Sequence, residues 1–562
     1  MASLLKSSPA ADAGPGRLLS DRWLLLLLAA GFGLRLVEVT APLIDHQAWR
    51  QADTAAIARN FHEEGLTLFH PRVDWRGNTP GYVEMNLPLF PFLVACLYSL
   101  AGGAHEWMGR SLAALFSTAA AVPLYSLARA WLGSAVGARL AVAIYLMLPL
   151  SLFFGRAFMP EALMLLLSAA ALGAFGRACR AGTAWLPAAA GIAGLCFALK
   201  IPTLYLGFPL VAMALGRWGP SFLRRGSLWL YLLVAVAPAA AWHVHAAGLF
   251  EQTGLTFGIW GRRGYDKWSH DLLLQGGFYQ LMAGRLVEAV LTPMGVLLAA
   301  AGLAGLWPRG DGGPRQGREV WPLYAWFGGL LLYVLLIPEG NRRLHYYQLP
   351  FVLPAAVFAA APLAALWEPG GARLSGVVGR QLRRLRPGSL GARSLVALSL
   401  AAVAAGGLWK LGDYYRPGNR IYDYYRSCEL AGRVLDARMP ADARLVAGDI
   451  DEDRGGPFRT RSPTLLYYCH RKGWQITPDL FEASRLDSLA AEGADYFVVA
   501  AGFVKRVEPL WSELLARGVT TAAAYPDFRT DERSFRRQAR SVAGPERNIL
   551  VVRLVDNSPA GN

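Results

Sequence analysis

Trp23-Leu-Leu-Leu-Leu-Leu-Ala-Ala-Gly-Phe-Gly-Leu-Arg-Leu-Val-Glu-Val-Thr-Ala-Pro-Leu-Ile44 runs directly into Asp45-His-Gln-Ala-Trp-Arg-Gln-Ala-Asp53. The first part is about the length needed to cross a bilayer core of ~30 Å. The second masses charged and hydrogen-bonding side chains against the end of that span. Such groups are costly at a membrane and commonly functional. With this end facing away from the cytoplasm, Asp45 offers a carboxylate at the lipid–water boundary, the depth of a lipid head group.

The rest of the chain is a membrane protein by composition. Of its 562 residues, 54% are hydrophobic and 17% charged, with a mean hydropathy of +0.29. Ordinary soluble domains have about 25% charged residues. Lys6 and Arg17 precede the leucine run and no small-residue cleavage site closes it, so we expect an uncleaved first span. The net charge of +16 sits largely on arginines between apolar segments, as the positive-inside rule predicts, which excludes nucleic acid as the explanation. Five cysteines show no metal-ligand spacing. Cys428 and Cys469 lie in the polar tail, where a disulfide would form if the tail is exported; buried free thiols are the alternative.

Hydropathy marks spans near 22–44, 108–131, 134–154, 158–178, 183–199, 202–217, 227–247, 286–307, 321–338, 346–367 and 394–410. A further apolar stretch, 86–102, decides the topology. Counted as a span, it exports Arg129 and Arg139. Counted as a helix lying on the surface, it sends every arginine-rich connector inward: Arg129/Arg139, Arg177/Arg180, Arg217/Arg224/Arg225, Arg309/Arg315/Arg318 and the six arginines from Arg373 to Arg393. Loop arginine bias sets orientation, and Pro88 and Pro91 suit the start of a helix. The expectation is a polytopic α-helical protein of about 11 transmembrane helices, with 86–102 juxtamembrane.

This parity collects on the outer face the polar residues that loop bias leaves unexplained. They are Asp45, Arg50, Asp53, Arg59 and Glu84 in the first loop, Arg156 and Glu161 before the fourth span, and Lys200 after the fifth. Arg262, Arg263, Asp266 and Lys267 follow in the 248–285 loop. Glu339, Arg342, Arg343, His345, Tyr346 and Tyr347 come before the tenth span. Acids and bases from distant segments would thus meet beside apolar helices, as an anionic amphiphile requires.

After about Lys410 the composition becomes that of a soluble α/β domain, giving an expected division into 1–410 and 411–562. Arg444–Gly448, Tyr496–Ala500 and Asn548–Leu554 read as strands. Ser462-Pro463 opens a helix through about Arg471, and Leu486–Glu492 and Val507–Arg517 read as helices. No nucleotide fingerprint occurs anywhere in the chain. An outward-facing transferase would therefore draw on a lipid-linked donor.

Glycosyl transfer from a lipid phosphate needs a base for the acceptor hydroxyl and cations for the departing phosphate. Its transition state resembles an oxocarbenium ion. Asp45 has the position for the base, and Lys200, Arg156, Arg342 and Arg343 are the available cations. His345, Tyr346 and Tyr347 add donors.

Structural alternatives stand beside each role. Asp45 could cap the next segment or pair with Arg50. Asp53 reads as an N-cap, Arg59 as balancing Glu63 at i,i+4, and Glu161 as a first-turn acid suiting the helix dipole. Lys200 could snorkel to the interface, and one of Arg342 and Arg343 could be an anchor. Asp45-His46 raises a divalent metal, but two residues do not make a site.

Asp45-His-Gln-Ala-Trp-Arg-Gln-Ala-Asp-Thr-Ala-Ala-Ile-Ala-Arg-Asn-Phe61 resembles the first outer loop of glycosyltransferase family 39. Members of this family are bacterial GT-C enzymes similar to aminoarabinose and protein O-mannosyl transferases. Phe158-Met-Pro-Glu-Ala-Leu-Met164, Leu199-Lys-Ile-Pro202, His345-Tyr-Tyr-Gln-Leu-Pro350 and Tyr467-Tyr-Cys-His-Arg-Lys-Gly-Trp474 match further segments. The resemblance implies a bacterial inner-membrane transferase with its site and C-terminal domain on the periplasmic face. It also implies a polyprenyl-phosphate sugar donor, a first-loop catalytic base (hence Asp45), inversion at the sugar, and two juxtamembrane helices in loop one.

Two departures bear on the acceptor and the phosphate. Where protein mannosyltransferases have Asp-Glu, this chain has Asp45-His46. Where aminoarabinose transferases have Lys-Pro-Pro, it has Glu84-Met-Asn-Leu-Pro88. Lys200 or the Arg342/Arg343 pair must then hold the phosphate, and the acceptor is a lipid, a glycan or a protein. A lipid-linked sugar flippase is the competing reading, though it predicts midplane charges and an inverted repeat. A third is a scaffold whose tail binds partners.

Overall fold

The computed structural model describes residues 20–259, 268–307, 319–372, 374–415, 420–448, 462–500, 507, 509–510, 512–513 and 549–554. Two compact units emerge. One comprises Met1–Val39, Arg110–His245 and Gly264–Asp413; the other comprises Thr40–Gly109, Ala246–Arg263 and Tyr414–Asn562. Compactness thus groups the first loop with the tail, whereas a division at 410 follows chain order.

The first unit is helical, and every apolar segment anticipated within it forms a helix. Among the described residues, five helices are long and apolar enough to cross a membrane: Glu106–Leu132, Glu161–Ala181, Gly226–Thr253, His345–Trp367 and Leu390–Tyr414. The pair Gly276–Val290 and Pro293–Leu306, bent by 105°, makes a sixth if counted as one span. Ala135–Met147, Thr183–Leu199 and Trp321–Leu336 are shorter apolar helices.

The first span corrects the hydropathy reading. Its helix is Arg22–Arg35 and stops well short of Ile44. Arg35 is fully buried, and its guanidinium donates to Gly31 O at 3.0 Å, to Ser117 Oγ at 2.9 Å and to Ser151 Oγ at 2.8 Å. A window average cannot register a buried arginine whose donors are satisfied by two other segments. Close helix packing elsewhere rests on glycine. A Cβ on Gly302 would lie 1.8 Å from Phe358 O, and one on Gly407 2.0 Å from Met147 O, the small-residue contact by which membrane helices approach.

The second unit contains the two first-loop helices and a sheet. Ala48–Glu64 forms one helix and Leu89–Ala101 another. The latter has 13 residues, or about 20 Å at ~1.5 Å per residue, which is short for a bilayer core of ~30 Å. Pro88 precedes it and Pro91 falls in its first turn, where no intrahelical N–H is lost. The sheet is built from β1 (Arg444–Gly448), β2 (Lys472–Ile476), β3 (Tyr496–Ala500) and β4 (Ile549–Arg553), in the order β2-β1-β3-β4. β1 is parallel to β2 and β3, and β4 is antiparallel to β3.

Three of these strands are as expected; β2 was missed, because Lys-Gly-Trp-Gln-Ile lacks clean alternation. The helix after Ser462-Pro463 is Thr464–Cys469, shorter than anticipated because His470 turns left-handed with φ 50°. Ala483–Ala491 covers the next expected helix. Most of the 507–517 helix lies outside the described residues, as do Lys6, Arg17, 262–267, Arg309, Arg315, Arg318 and Arg373.

One apolar core runs through the second unit. Ile57, Phe61, Val73, Trp75, Val83 and Ala95 of the first loop pack with Cys428, Leu435, Leu445, Leu466, Cys469 and Val498 of the tail. Cys428 and Cys469 are both free and buried. The disulfide alternative is therefore set aside, and the two thiols act as small apolar core groups.

Candidate functional site

Asp45 sits in the short turn before the Ala48–Glu64 helix, with only 9% of its surface exposed. The helix has no side-chain cap; its N-cap position is Gln47, in the left-handed region at φ 62°. This turn brings Gln51 back beneath Asp45. The Gln51 amide donates to Asp45 Oδ1 at 2.5 Å and to His46 O at 3.0 Å. The His46 ring lies against Tyr414 with centroids 4.8 Å apart.

The other first-loop candidates build the surroundings. Arg50 places its guanidinium over Phe257 at 4.9 Å. Asp53 is not an N-cap: it lies inside the helix, is buried, and accepts the Trp75 indole N–H at 3.0 Å. Glu84 is fully buried and accepts from Thr256 Oγ1 at 2.5 Å. Its other oxygen, Oε1, has no hydrogen-bond partner among the described residues.

Arg59 does not pair chiefly with Glu63. It donates to Asp74 at 2.7 Å and to Tyr467 O at 2.8 Å, while Glu63 meets His470 at 2.8 Å. Helical spacing cannot see a partner on a returning loop. Asp74 also accepts from Lys472 Nζ at 2.6 Å and Asn60 Nδ2 at 3.0 Å. Burial opposes its ionisation, but Lys472 and Arg59 outweigh that and hold its carboxyl well below the usual carboxylate range. Nearby, an open polar cleft of about 390 Å³ lies between Arg76, Arg444 and Lys472. Its cations are already engaged by Glu64, Asn78 and Asp74.

The remaining candidates belong to the first unit. Glu161 opens the Glu161–Ala181 helix, fully buried, and forms an ion pair with Lys200 at the end of the Leu186–Leu199 helix. Glu161 Oε2 has no hydrogen-bond partner among the described residues. Lys200 Nζ lies 5.3 Å from the Tyr346 ring centroid and 5.9 Å from that of Tyr347, a cation–π setting. Phe154 contacts both His345 and Tyr346, with centroids 5.5 and 5.7 Å away. Arg156 is buried and donates to Glu38 O at 2.6 Å.

Glu339 gathers both arginines of the Pro338–Arg343 helix, accepting from Arg342 Nε at 2.6 Å and Arg343 Nε at 2.5 Å. Burial works against the Glu339 charge, but the two guanidiniums prevail and lower its pKa. Arg285 donates to Asn341 O at 2.6 Å and Arg342 O at 2.8 Å, fixing the turn. Neither Glu38 nor Arg285 was anticipated. Glu38 acts through its backbone and Arg285 reaches across from a distant helix, so no residue-type signal marked them.

The two units therefore carry distinct chemistry. The first has aromatic-lined cations, with Lys200 matched by one acid and the Arg342/Arg343 pair sharing one. The second has a buried, oriented carboxylate on a polar turn. No group of three or more His, Cys, Asp or Glu side chains suited to a metal ion occurs among the described residues, and the His46 ring packs on Tyr414.

Residues 84–245 match the family model for dolichyl-phosphate-mannose-protein mannosyltransferase. The structure is similar over 95% of this chain and 98% of the other to ArnT from Cupriavidus metallidurans, solved bound to undecaprenyl phosphate, at 15% identity and a TM-score of 0.56. It also resembles the oligosaccharyltransferase of Archaeoglobus fulgidus over 85% of this chain and 70% of that one, at 14% identity and a TM-score of 0.50. At these identities the likeness is one of fold. No curated protein matches the chain by sequence. The fold is thus that of GT-C membrane glycosyltransferases, mostly helical, and a segment of the chain matches a glycosyltransferase family model. The motif resemblance to glycosyltransferase family 39 holds, and the matched family segment spans Glu84, Arg156, Glu161 and Lys200.

Proposed function

We propose that this enzyme transfers a sugar from a polyprenyl-phosphate donor to a hydroxyl of an acceptor outside the cytoplasm, by a single inverting displacement with Asp45 as general base. Asp45 takes the acceptor proton. The acceptor oxygen bonds to the anomeric carbon as the bond from that carbon to the phosphate oxygen breaks, and the polyprenyl phosphate leaves with the electron pair. The observation that carries this assignment is the Asp45 carboxylate, largely buried yet fixed by the Gln51 amide at 2.5 Å. A base held in one orientation is what proton transfer in a crowded transition state requires.

The lipid-linked donor is supported by the family match and by the undecaprenyl phosphate bound in the structurally similar ArnT. Lys200 and the Arg342/Arg343 pair are assigned to the donor phosphate. Two arginines sharing the single Glu339 carboxylate keep a net positive charge, and a phosphate whose charge grows as its bond breaks gains from such a clamp. Glu84 and Glu161, each with one buried oxygen lacking a partner among the described residues, suit sugar or acceptor hydroxyls. Asp53 and Arg59 support the helix that carries the base.

The reading goes with a bacterial inner membrane, the site and C-terminal domain on the periplasmic face, and is supported by the arginine bias of the connectors. The test is transfer from a polyprenyl-phosphate sugar by purified enzyme in detergent. Asp45→Asn should lower kcat by about 10²–10⁴-fold with unchanged thermal melting. Full activity in that variant would overturn the mechanism.

A further inference from the structure

The turn that holds Asp45 is tied to the C-terminal tail by a buried hydrogen bond. The backbone N–H of Leu43 donates to the Tyr468 hydroxyl at 2.6 Å, in a buried setting. Leu43 is two residues before Asp45 and precedes the left-handed Gln47, so its peptide fixes the direction in which the chain enters the turn.

Tyr468 is itself built in firmly. It lies in the buried Thr464–Cys469 helix. That helix packs so closely on Arg420–Arg438 that a Cβ on Gly432 would fall 2.4 Å from Tyr468 Cβ. The Arg433 guanidinium covers its ring at 5.6 Å. The neighbouring Tyr467 carbonyl takes Arg59 at 2.8 Å, so the same short helix holds both the approach to Asp45 and the helix that follows it.

We infer that Tyr468 is a positioning residue for transfer, its hydroxyl holding the Leu43 peptide so that the Asp45 carboxylate keeps its attack geometry. This rests on Asp45 being the base. A buried hydroxyl in a packed helix is a poor candidate for touching substrate. It is a good one for fixing a backbone, because a peptide N–H away from water must find an acceptor. Displacing a catalytic group by as little as ~1 Å can cost ~10²-fold in rate.

The experiment is steady-state kinetics of the full-length enzyme in detergent with a polyprenyl-phosphate sugar, comparing wild type, Tyr468→Phe and Asp45→Asn. Tyr468→Phe should lower kcat at least about tenfold with donor KM within about twofold of wild type, since what is lost is geometry in the transition state and not ground-state binding. An unchanged kcat, or a raised KM at constant kcat, overturns the inference. If Asp45→Asn is fully active, the base assignment has failed. If Asp45→Asn is inactive while Tyr468→Phe behaves as wild type, only the positioning role has failed. Should Tyr468→Phe not fold, difluorotyrosine at 468, assayed at a pH that keeps its more acidic phenol protonated, retains the shape and hydroxyl but weakens the oxygen as an acceptor. A graded fall in kcat at constant KM then supports the role, and no fall overturns it.

Discussion

At the scale of single residues, the chain separates groups that react from groups that hold. Asp74 is of the second kind. Its carboxylate is completely buried between Arg59 and Lys472, and removing one member of such a set leaves charges uncompensated. Asp74→Asn is expected to destabilise the protein by about 3–5 kcal/mol, seen as a lowered melting temperature. The pH dependence has a definite sign. The Asp74 carboxyl is held down in the folded state, so its contribution is present above the unfolded value of ~3.9 and is lost as pH falls below it toward the folded value. Melting temperatures measured from pH 7 downward should drop below about pH 4, and the drop should be shallower in Asp74→Asn. Glu63, Glu64 and Glu339, also lowered, contribute in the same direction. A second expectation concerns the donor. Arg342→Ala and Arg343→Ala should each raise donor KM, whereas Asp45→Asn lowers kcat, because phosphate contacts formed in the ground state act on binding.

At the scale of elements, the helices were legible and their ends were not. Apolar runs from Glu106 to Tyr415 all became helices because each buries its backbone polar groups internally. The Trp23–Ile44 run broke at Arg35 because that arginine finds Ser117 and Ser151, partners no local window contains. The 86–102 segment was placed by its prolines and by loop charge, and its helix is 13 residues long. Helix packing supplies a third test. Gly302→Ala would push a methyl group into Phe358 O, 1.8 Å away, and should cost about 1–3 kcal/mol, read as a lower melting temperature in detergent. Gly191→Ala has nothing within 4 Å and serves as the comparison, with no loss expected.

At the scale of the whole molecule, loop one and the tail form a single folding unit. Ile57, Phe61 and Val73 share a core with Leu445, Leu466 and Val498, so removing the tail uncovers apolar surface on the first loop. A chain ending at Asp413 is expected to lose transfer and to become protease-sensitive between residues 48 and 101. An active, protease-resistant truncation would show that the loop folds without the tail. Activity retained without the tail would also argue against a scaffold whose tail binds partners.

The sequence by itself determined the class: apolar segments of helical length, arginine-rich connectors, a strand-bearing tail, and the Asp45 motif that resembles glycosyltransferase family 39. These follow from local composition and spacing, which the bilayer and the backbone constrain strongly. Only the tertiary structure decided how the motifs are held. Asp45 meets Gln51 through a left-handed turn, Arg59 turns to Asp74 and Tyr467, Lys200 meets Glu161, and one glutamate serves two arginines. A charge in a sequence has several possible partners of equal chemistry. Which one it takes is fixed by burial, because an unpaired charge in a packed interior costs more than any local preference can offset.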